Sequence, residues 1–114
     1  MEVLGPADRA STEAVDDVHL ALLAGGDEMN IQRFEIEPGA TVPEHDHPHE
    51  QTGVVLSGTL TFVLADGTEH EVDSGDTYAI PGHEAHAAEN RTDAVVTGID
   101  VFSPPRTDPD WQDG

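Results

Sequence analysis

The sequence predicts an all-β protein with a sandwich, jelly-roll or barrel architecture. Two features carry this prediction. Apolar and polar residues alternate over short segments, so that Leu60, Phe62 and Leu64 fall on one face of an extended strand. Turn signals rich in glycine and proline separate such segments about every 8–12 residues, which is typical of these folds. We expect roughly six to ten strands in one domain, because 114 residues suffice for a single core.

The N-terminal region has the least regular pattern. Residues 1–16 are polar with scattered small side chains and predict an irregular N-terminal arm. A helix over residues 11–23 is one interpretation of the next segment. Apolar residues alternate from Val18 to Leu22, however, and this favours a strand over residues 18–23.

Turn residues divide the rest of the chain into further strands. The turn signals are Gly25-Gly26-Asp27, Pro38-Gly39, Ser57-Gly58, Asp66-Gly67, Ser74-Gly75 and Pro81-Gly82. Between them, strands are predicted over residues 29–37, 54–56, 59–65, 70–72, 77–80 and 94–102. Pro104-Pro105 ends the last strand, so we expect a barrel over residues 17–106 and a C-terminal tail over residues 107–114.

The charge of the chain is strongly negative. Asp and Glu number 24 against 4 Lys and Arg, all of them arginine, and the formal net charge is −20. The acids are spread along the whole sequence, which favours a protein of a salt-accumulating halophile, where salt screens the repulsion. An acidic surface for a basic partner is the alternative. The sequence offers no basic patch for nucleic acid, so none is expected as a partner.

Other features bear on where the protein acts. No apolar run approaches the ~20 residues of a membrane span, and no basic-then-apolar signal pattern opens the sequence. Cysteine is absent, which excludes disulfides and thiol chemistry. We therefore expect a cytoplasmic protein without a membrane partner.

A histidine-rich segment at residues 43–53 suggests a metal site. His45 and His47 are two residues apart, so an extended chain would place both rings on one face. Gln51 has the same parity, whereas the neighbouring Glu50 does not. A local cluster alone would bind weakly, and His86 is the best remote ligand because it follows a predicted turn. A solvated loop rich in histidine and glutamate is the alternative interpretation.

Two linked motifs resemble those of the cupin superfamily. The first runs Gly39, five residues, His45-Asp46-His47, three residues, Gln51, six residues, Gly58. The second runs Gly75, five residues, Pro81-Gly82-His83, then His86, three residues, Asn90. Two departures stand out, because the glycine of the second motif is one place early and Gln51 replaces the usual glutamate.

The resemblance implies a double-stranded β-helix (jelly-roll) cupin barrel that binds one divalent transition metal ion, such as iron, nickel, zinc or manganese. The implied ligands are His45, His47, Gln51 and His86. Small cupins commonly dimerise, so a homodimer is also expected.

The segment from Asp100 to Arg106 carries a second signal. Val96, Gly98, Asp100 and Phe102 share one face of the last strand, and an inward face would bury the Asp100 carboxylate in an apolar cavity. The opposite face is the more apolar one, so the reverse orientation is the alternative.

This segment is similar to one subgroup of small cupins, which includes the pectin-degradation cupin that linearises unsaturated uronates. That similarity implies Asp100 as acid and base, Phe102 as a pocket wall and Arg106 as a clamp for a small-molecule carboxylate substrate. Three functional classes follow: a non-redox enzyme on a small carboxylated sugar, a metal-dependent dioxygenase, and a non-catalytic small-molecule-binding protein.

Overall fold

The chain folds into two antiparallel sheets that face each other. The structure, a computed structural model, describes residues 1–106. Within that range the ten strands are β1 (Thr12–Val15), β2 (Val18–Gly25), β3 (Asn30–Ile36), β4 (Thr41–His45), β5 (Glu50–Ser57), β6 (Thr59–Leu64), β7 (Glu69–Asp73), β8 (Thr77–Ile80), β9 (His86–Glu89) and β10 (Val96–Ser103). One sheet has the order β1-β2-β3-β10-β5-β8 and the other β4-β9-β6-β7. The predicted all-β jelly-roll class is confirmed.

The core lies between the sheets and follows the period of the strands. Along β3 and β10 the residues alternate between buried and half-buried positions over the whole length of each strand. Val18, Phe34, Val55, Leu60 and Val96 are among the side chains that meet in this interior. Burial of such side chains stabilises the fold by about 1.5–3 kcal/mol each.

The turns form where glycine permits them. Gly58, between β5 and β6, has a φ of 85°, and a Cβ atom there would lie 2.9 Å from the Val96 side chain. Asp66-Gly67 closes the hairpin between β6 and β7, where the Leu64 backbone N–H donates to the Thr68 carbonyl at 2.9 Å. Both turns were predicted from the sequence.

The structure corrects one prediction near the N-terminus and confirms another. Thr12–Val15 forms β1, which pairs with β2, so the irregular arm predicted over residues 1–16 contains a strand. The strand predicted over residues 18–23 is confirmed, because Val18–Gly25 forms β2, and the alternative of a helix over residues 11–23 is excluded. β1 is a short edge strand and only Ala14 is half-buried, which explains its lack of an alternating signal.

Two strands near the histidines were also missed or shortened. Thr41–His45 forms β4, for which no strand was predicted, and β5 begins at Glu50 rather than at residue 54. β4 ends at His45, so His47 lies in the connection to β5 and not on the same strand.

The predicted domain boundaries at residues 16 and 106 remain predictions, and the predicted tail over residues 107–114 lies outside the described residues. Among residues 1–106 there is no helix long and apolar enough to cross a membrane.

Candidate metal centre and its cavity

Three histidines converge at one end of the barrel. His45 ends β4 and His86 begins β9, and the two are directly paired in the sheet. The ring centroids of His45 and His86 are 4.6 Å apart, and those of His47 and His86 are 5.4 Å apart. One nitrogen from each ring lies within 4.8 Å of the others. Such spacing suits a common ion with metal–nitrogen bonds of about 2.1 Å.

Backbone carbonyls orient all three rings. The Nδ1 atoms of His45, His47 and His86 lie 2.9, 3.1 and 2.8 Å from the carbonyl oxygens of Pro43, His49 and Glu84. A ring that donates from Nδ1 keeps the Nε2 lone pair for a metal. Each histidine is thus held by a carbonyl two residues away along its own chain.

Burial keeps two of these rings neutral. Desolvation lowers the pKa of His47 to about 4, and the positive charge of Arg106 lowers it further. The pKa of His86 is lowered as well, again mainly by burial. Neutral imidazole is the form that binds a metal, so these rings are ready for it near neutral pH.

Gln51 completes the group from β5. Its side chain is buried, and its Oε1 lies 3.1 Å from Nε2 of His47, whereas the neighbouring Glu50 is exposed. Three imidazoles and one amide oxygen are a donor set that suits a divalent transition metal ion. The residues present therefore fit the ion that the motifs imply.

His49 lies at the rim of this group. Its ring centroid is 5.5 Å from that of His47 and 6.1 Å from that of Phe102.

Asp100 faces the interior, which decides between the two orientations of the last strand. It is buried on the same face of β10 as Val96 and Phe102, with 6% of its surface exposed. Burial raises the pKa of its carboxyl group to about 6, against the opposing effect of hydrogen bonding to Tyr78 and Gln51. A carboxylate in this environment can hold or release a proton near neutral pH.

Tyr78 is a site residue that the sequence did not reveal. Its hydroxyl donates a hydrogen bond to Oδ1 of Asp100, and burial and the Asp100 charge raise the pKa of Tyr78. Gly53 makes this contact possible, because it lies between the two residues in the sheet and a Cβ there would collide with both side chains. The glycine was visible in the sequence, but its two neighbours across the sheet were not.

Phe102 and Arg106 form another wall of the site. The guanidinium carbon of Arg106 lies 5.3 Å from the centroid of the Phe102 ring. Asn30 on β3 holds the backbone of Arg106 from both sides: its Oδ1 accepts from the Arg106 N–H at 2.7 Å, and its Nδ2 donates to the Arg106 carbonyl at 3.2 Å. Asn30 was not singled out in the sequence, although a polar residue at an inward position of β3 is a usable signal.

One cavity connects these groups. Its volume is about 70 Å³, and the predicted site residues that line it are His45, Gln51, His86, Asp100, Phe102 and Arg106. His47 adjoins it through its contact with Gln51. The structure thus brings the proposed metal ligands and the C-terminal segment to the same space.

Comparison with known proteins gave a match to a protein family and to curated relatives. Residues 32–102 match the family model described as "Cupin domain". The curated relative H2HPP isomerase from Bacillus subtilis is 33% identical over 66 residues, which are 58% of this chain and 28% of the relative. The chain therefore spans less than a third of that relative's length.

Solved structures show the same architecture. KdgF from Halomonas sp. superposes with a TM-score of 0.85 at 23% identity, covering 95% of this chain and 97% of that one. An RmlC-like cupin from Shewanella frigidimarina gives 0.82 at 24% identity, with 95% of each chain covered. The polyketide cyclase RemF from Streptomyces resistomycificus gives 0.81 at 24% identity, with 90% of this chain and 79% of that one covered. At these identities the likeness shows a shared fold.

Proposed function

We propose that this chain, which belongs to the cupin family, is a metal-dependent, non-redox enzyme that opens the ring of a small carboxylated sugar, an unsaturated uronate. The observation that carries the proposal is the buried Asp100 carboxyl group, which shares one cavity with His45, His86 and Arg106. His47 adjoins this cavity and completes the group of three histidines. A proton-transfer group beside a metal site and a cation is what isomerisation of a sugar acid needs. The relative called an isomerase supports a reaction without redox change.

Each residue has a role in this reaction. His45, His47, Gln51 and His86 would hold the divalent transition metal ion. When bound, the ion supplies Lewis-acid polarisation of a substrate oxygen. Arg106 binds the carboxylate of the uronate through its planar, two-pronged guanidinium group.

Asp100 moves the proton. It takes the proton from the anomeric hydroxyl, the bond between the anomeric carbon and the ring oxygen breaks, and an aldehyde forms. The electron pair of the broken bond stays on the ring oxygen, which forms an enolate with carbons 4 and 5. Asp100 returns the proton to carbon 4, leaving a ketone at carbon 5. No atom or electron is gained or lost, so the reaction is an isomerisation. Tyr78 orients the carboxyl group through its hydrogen bond, and Phe102 walls the cavity against water.

A turnover assay tests this function. Protein loaded separately with iron, nickel, zinc or manganese is given a 4,5-unsaturated galacturonate monosaccharide. We expect the ultraviolet absorbance of the conjugated double bond to disappear and the linear keto-aldehyde acid to appear by NMR, without oxygen uptake. Oxygen consumption would instead indicate a dioxygenase, and tight binding without turnover would indicate a binding protein.

Gln51 gives a further prediction, because it contacts both a histidine and Asp100. Its Oε1 lies 3.1 Å from His47 Nε2, and hydrogen bonding to its side chain lowers the pKa of Asp100. Glutamate at this position would place a second carboxylate beside Asp100 and raise the Asp100 pKa. We expect Gln51→Glu to bind metal about tenfold more tightly, since a charged ligand replaces a neutral one, and to turn over substrate at least about tenfold more slowly.

Metal affinity from competition with a chelator and turnover at saturating metal measure the two effects. Glu50→Gln is the matched control, since Glu50 is exposed next to Gln51. Turnover by Gln51→Glu equal to that of the wild type would contradict the proposed contact between residue 51 and Asp100.

We also propose that the protein acts in the cytoplasm of a halophile as a homodimer, without nucleic-acid or membrane partners. The net charge of −20 spread along the chain supports the first part, because such a surface favours solubility at high salt.

A further inference from the structure

We propose that Gln32 binds a hydroxyl group of the substrate and thereby restricts the site to a single hydroxylated sugar ring; this inference rests on the proposed function. Gln32 lies on β3, faces inward and lines the cavity. Its backbone is paired with that of Asp100 on β10, so the two side chains are neighbours in the same row of the sheet. Gln32 therefore stands next to the residue that transfers the proton.

The amide of Gln32 is buried without a full set of partners. The residue is 3% exposed, and its Oε1 has no hydrogen-bond partner among the described residues. Two buried polar side chains nearby are satisfied: Asn30 holds the Arg106 backbone, and Asp100 accepts from Tyr78. Among the described residues, the other buried side-chain atom without a hydrogen-bond partner is Nδ1 of His49, whose ring lies beside those of His47 and Phe102.

An unpaired buried amide oxygen destabilises the folded protein. The inward positions that follow on β3 are Phe34 and Ile36, so an apolar side chain would suit the core at position 32 as well. A ligand that donates a hydrogen bond to this oxygen would offset this loss of stability. Glutamine at this position is thus explained by binding rather than by packing.

Oε1 of Gln32 can pair only with a hydrogen-bond donor of the ligand. An amide oxygen only accepts, and so does an ionised carboxylate, so the carboxylate of a sugar acid cannot be its partner. A sugar hydroxyl can donate to it. The carboxylate then belongs at Arg106, and a hydroxyl belongs at Gln32 beside Asp100.

The cavity sets the size of the ligand. Arg106 and Gln32 both line it, and its volume of about 70 Å³ is small. The geometry points to a monosaccharide rather than an oligosaccharide.

Two stable probes test the hydroxyl contact by calorimetry on metal-loaded protein. Galacturonate carries the carboxylate and hydroxyls, whereas tetrahydropyran-2-carboxylate keeps the carboxylate and ring oxygen but has no hydroxyl. We expect Gln32→Met to bind galacturonate about tenfold more weakly than the wild type and to bind the second probe equally well. Leu22→Met is the control, because Leu22 is paired with Gln32 in the same row and carries no polar group.

Thermal unfolding without ligand gives an independent measurement. Removal of the unpaired oxygen should raise the melting temperature of Gln32→Met by several degrees. A lower melting temperature, or a variant that does not fold, would show a structural role and overturn the inference. Equal losses for both probes, no loss for either, or no binding of either probe by the wild type would also overturn it.

These outcomes separate the inference from the proposed reaction. If the wild type fails to open the unsaturated uronate but Gln32→Met discriminates between the probes as expected, the reaction is wrong and the hydroxyl contact stands. If the wild type opens the uronate and Gln32→Met treats both probes as the wild type does, the reaction stands and the role of Gln32 is wrong.

Discussion

Replacement of His86 by alanine is expected to abolish stable metal binding. His86 is the proposed ligand that lies far from the other candidates in the sequence, and its ring centroid lies 4.6 Å from that of His45 and 5.4 Å from that of His47. Without it, two histidines and an amide oxygen remain, and only one of the two histidines is on a strand. Changes in groups that merely orient a ligand weaken metal affinity about 10–100-fold, so loss of the ligand itself should exceed about a hundredfold.

Elemental analysis of untagged protein, followed by a chelator competition, measures this effect. We expect about one metal ion per wild-type chain and none in His86→Ala. His70→Ala is the control, because His70 lies on β7 of the same sheet but is exposed. Full metal content in His86→Ala would show that the cluster around residues 43–53 binds the ion alone and would refute the remote pairing.

The sequence predicted most strands because their signals are local. The alternation along β6, the alternation along β10 and the turn at Asp66-Gly67 each span only a few consecutive residues. β4 escaped prediction because its residues, which include Pro43 and Glu44, are exposed or half-buried and show no alternation. β1 is extended because it pairs with β2, and the residues of β1 themselves show no pattern that predicts a strand.

The site divides in the same way. The candidate metal ligands and the segment from Asp100 to Arg106 could be predicted because motifs at fixed spacing carry them. Tyr78, Asn30 and Gln32 were missed because their contacts depend on how strands lie side by side. Tyr78 meets Asp100 only across Gly53, and Gln32 meets it only across the pairing of β3 with β10.

The last strand shows where a count of apolar residues misleads. Ile99 and Val101 made the opposite face look like the core, yet both are half-buried on the outside of the six-stranded sheet. The inner face contains Gly98 and Asp100 because it must accommodate the Phe34 ring and the cavity. A Cβ at Gly98 would collide with that ring. A functional face therefore carries fewer apolar side chains than the outer face.

Replacement of Asp100 by asparagine is expected to lower uronate turnover by about 10²–10⁴-fold while leaving metal content unchanged. Asparagine has nearly the same shape and can still accept the hydrogen bond from Tyr78, so the cavity should keep its form. It cannot take or return a proton at neutral pH. The loss should appear in kcat, and the affinity for galacturonate should change little, because Arg106 and the metal site are intact.

Asp93→Asn is the matched control, since Asp93 is an exposed aspartate in the connection before β10. Uronate turnover by Asp100→Asn at the wild-type rate would remove the role assigned to this carboxyl group. Loss of metal together with turnover would instead mean that Asp100 supports the ligands, in which case the proton transfer would have to be assigned elsewhere.

The pH dependence of unfolding provides a second measure of the same substitution. The pKa of Asp100 is raised from 3.8 to about 6, so the folded state binds the proton more tightly than the unfolded state. The wild type should therefore lose stability as pH rises through this window, and it should be less stable above pH ~6 than Asp100→Asn, which cannot ionise. Because other groups titrate equally in both proteins, the difference between their unfolding free energies isolates Asp100. A difference that stays constant from pH ~4 to pH ~7 would mean that the carboxyl group is not held in the buried environment on which its catalytic role depends.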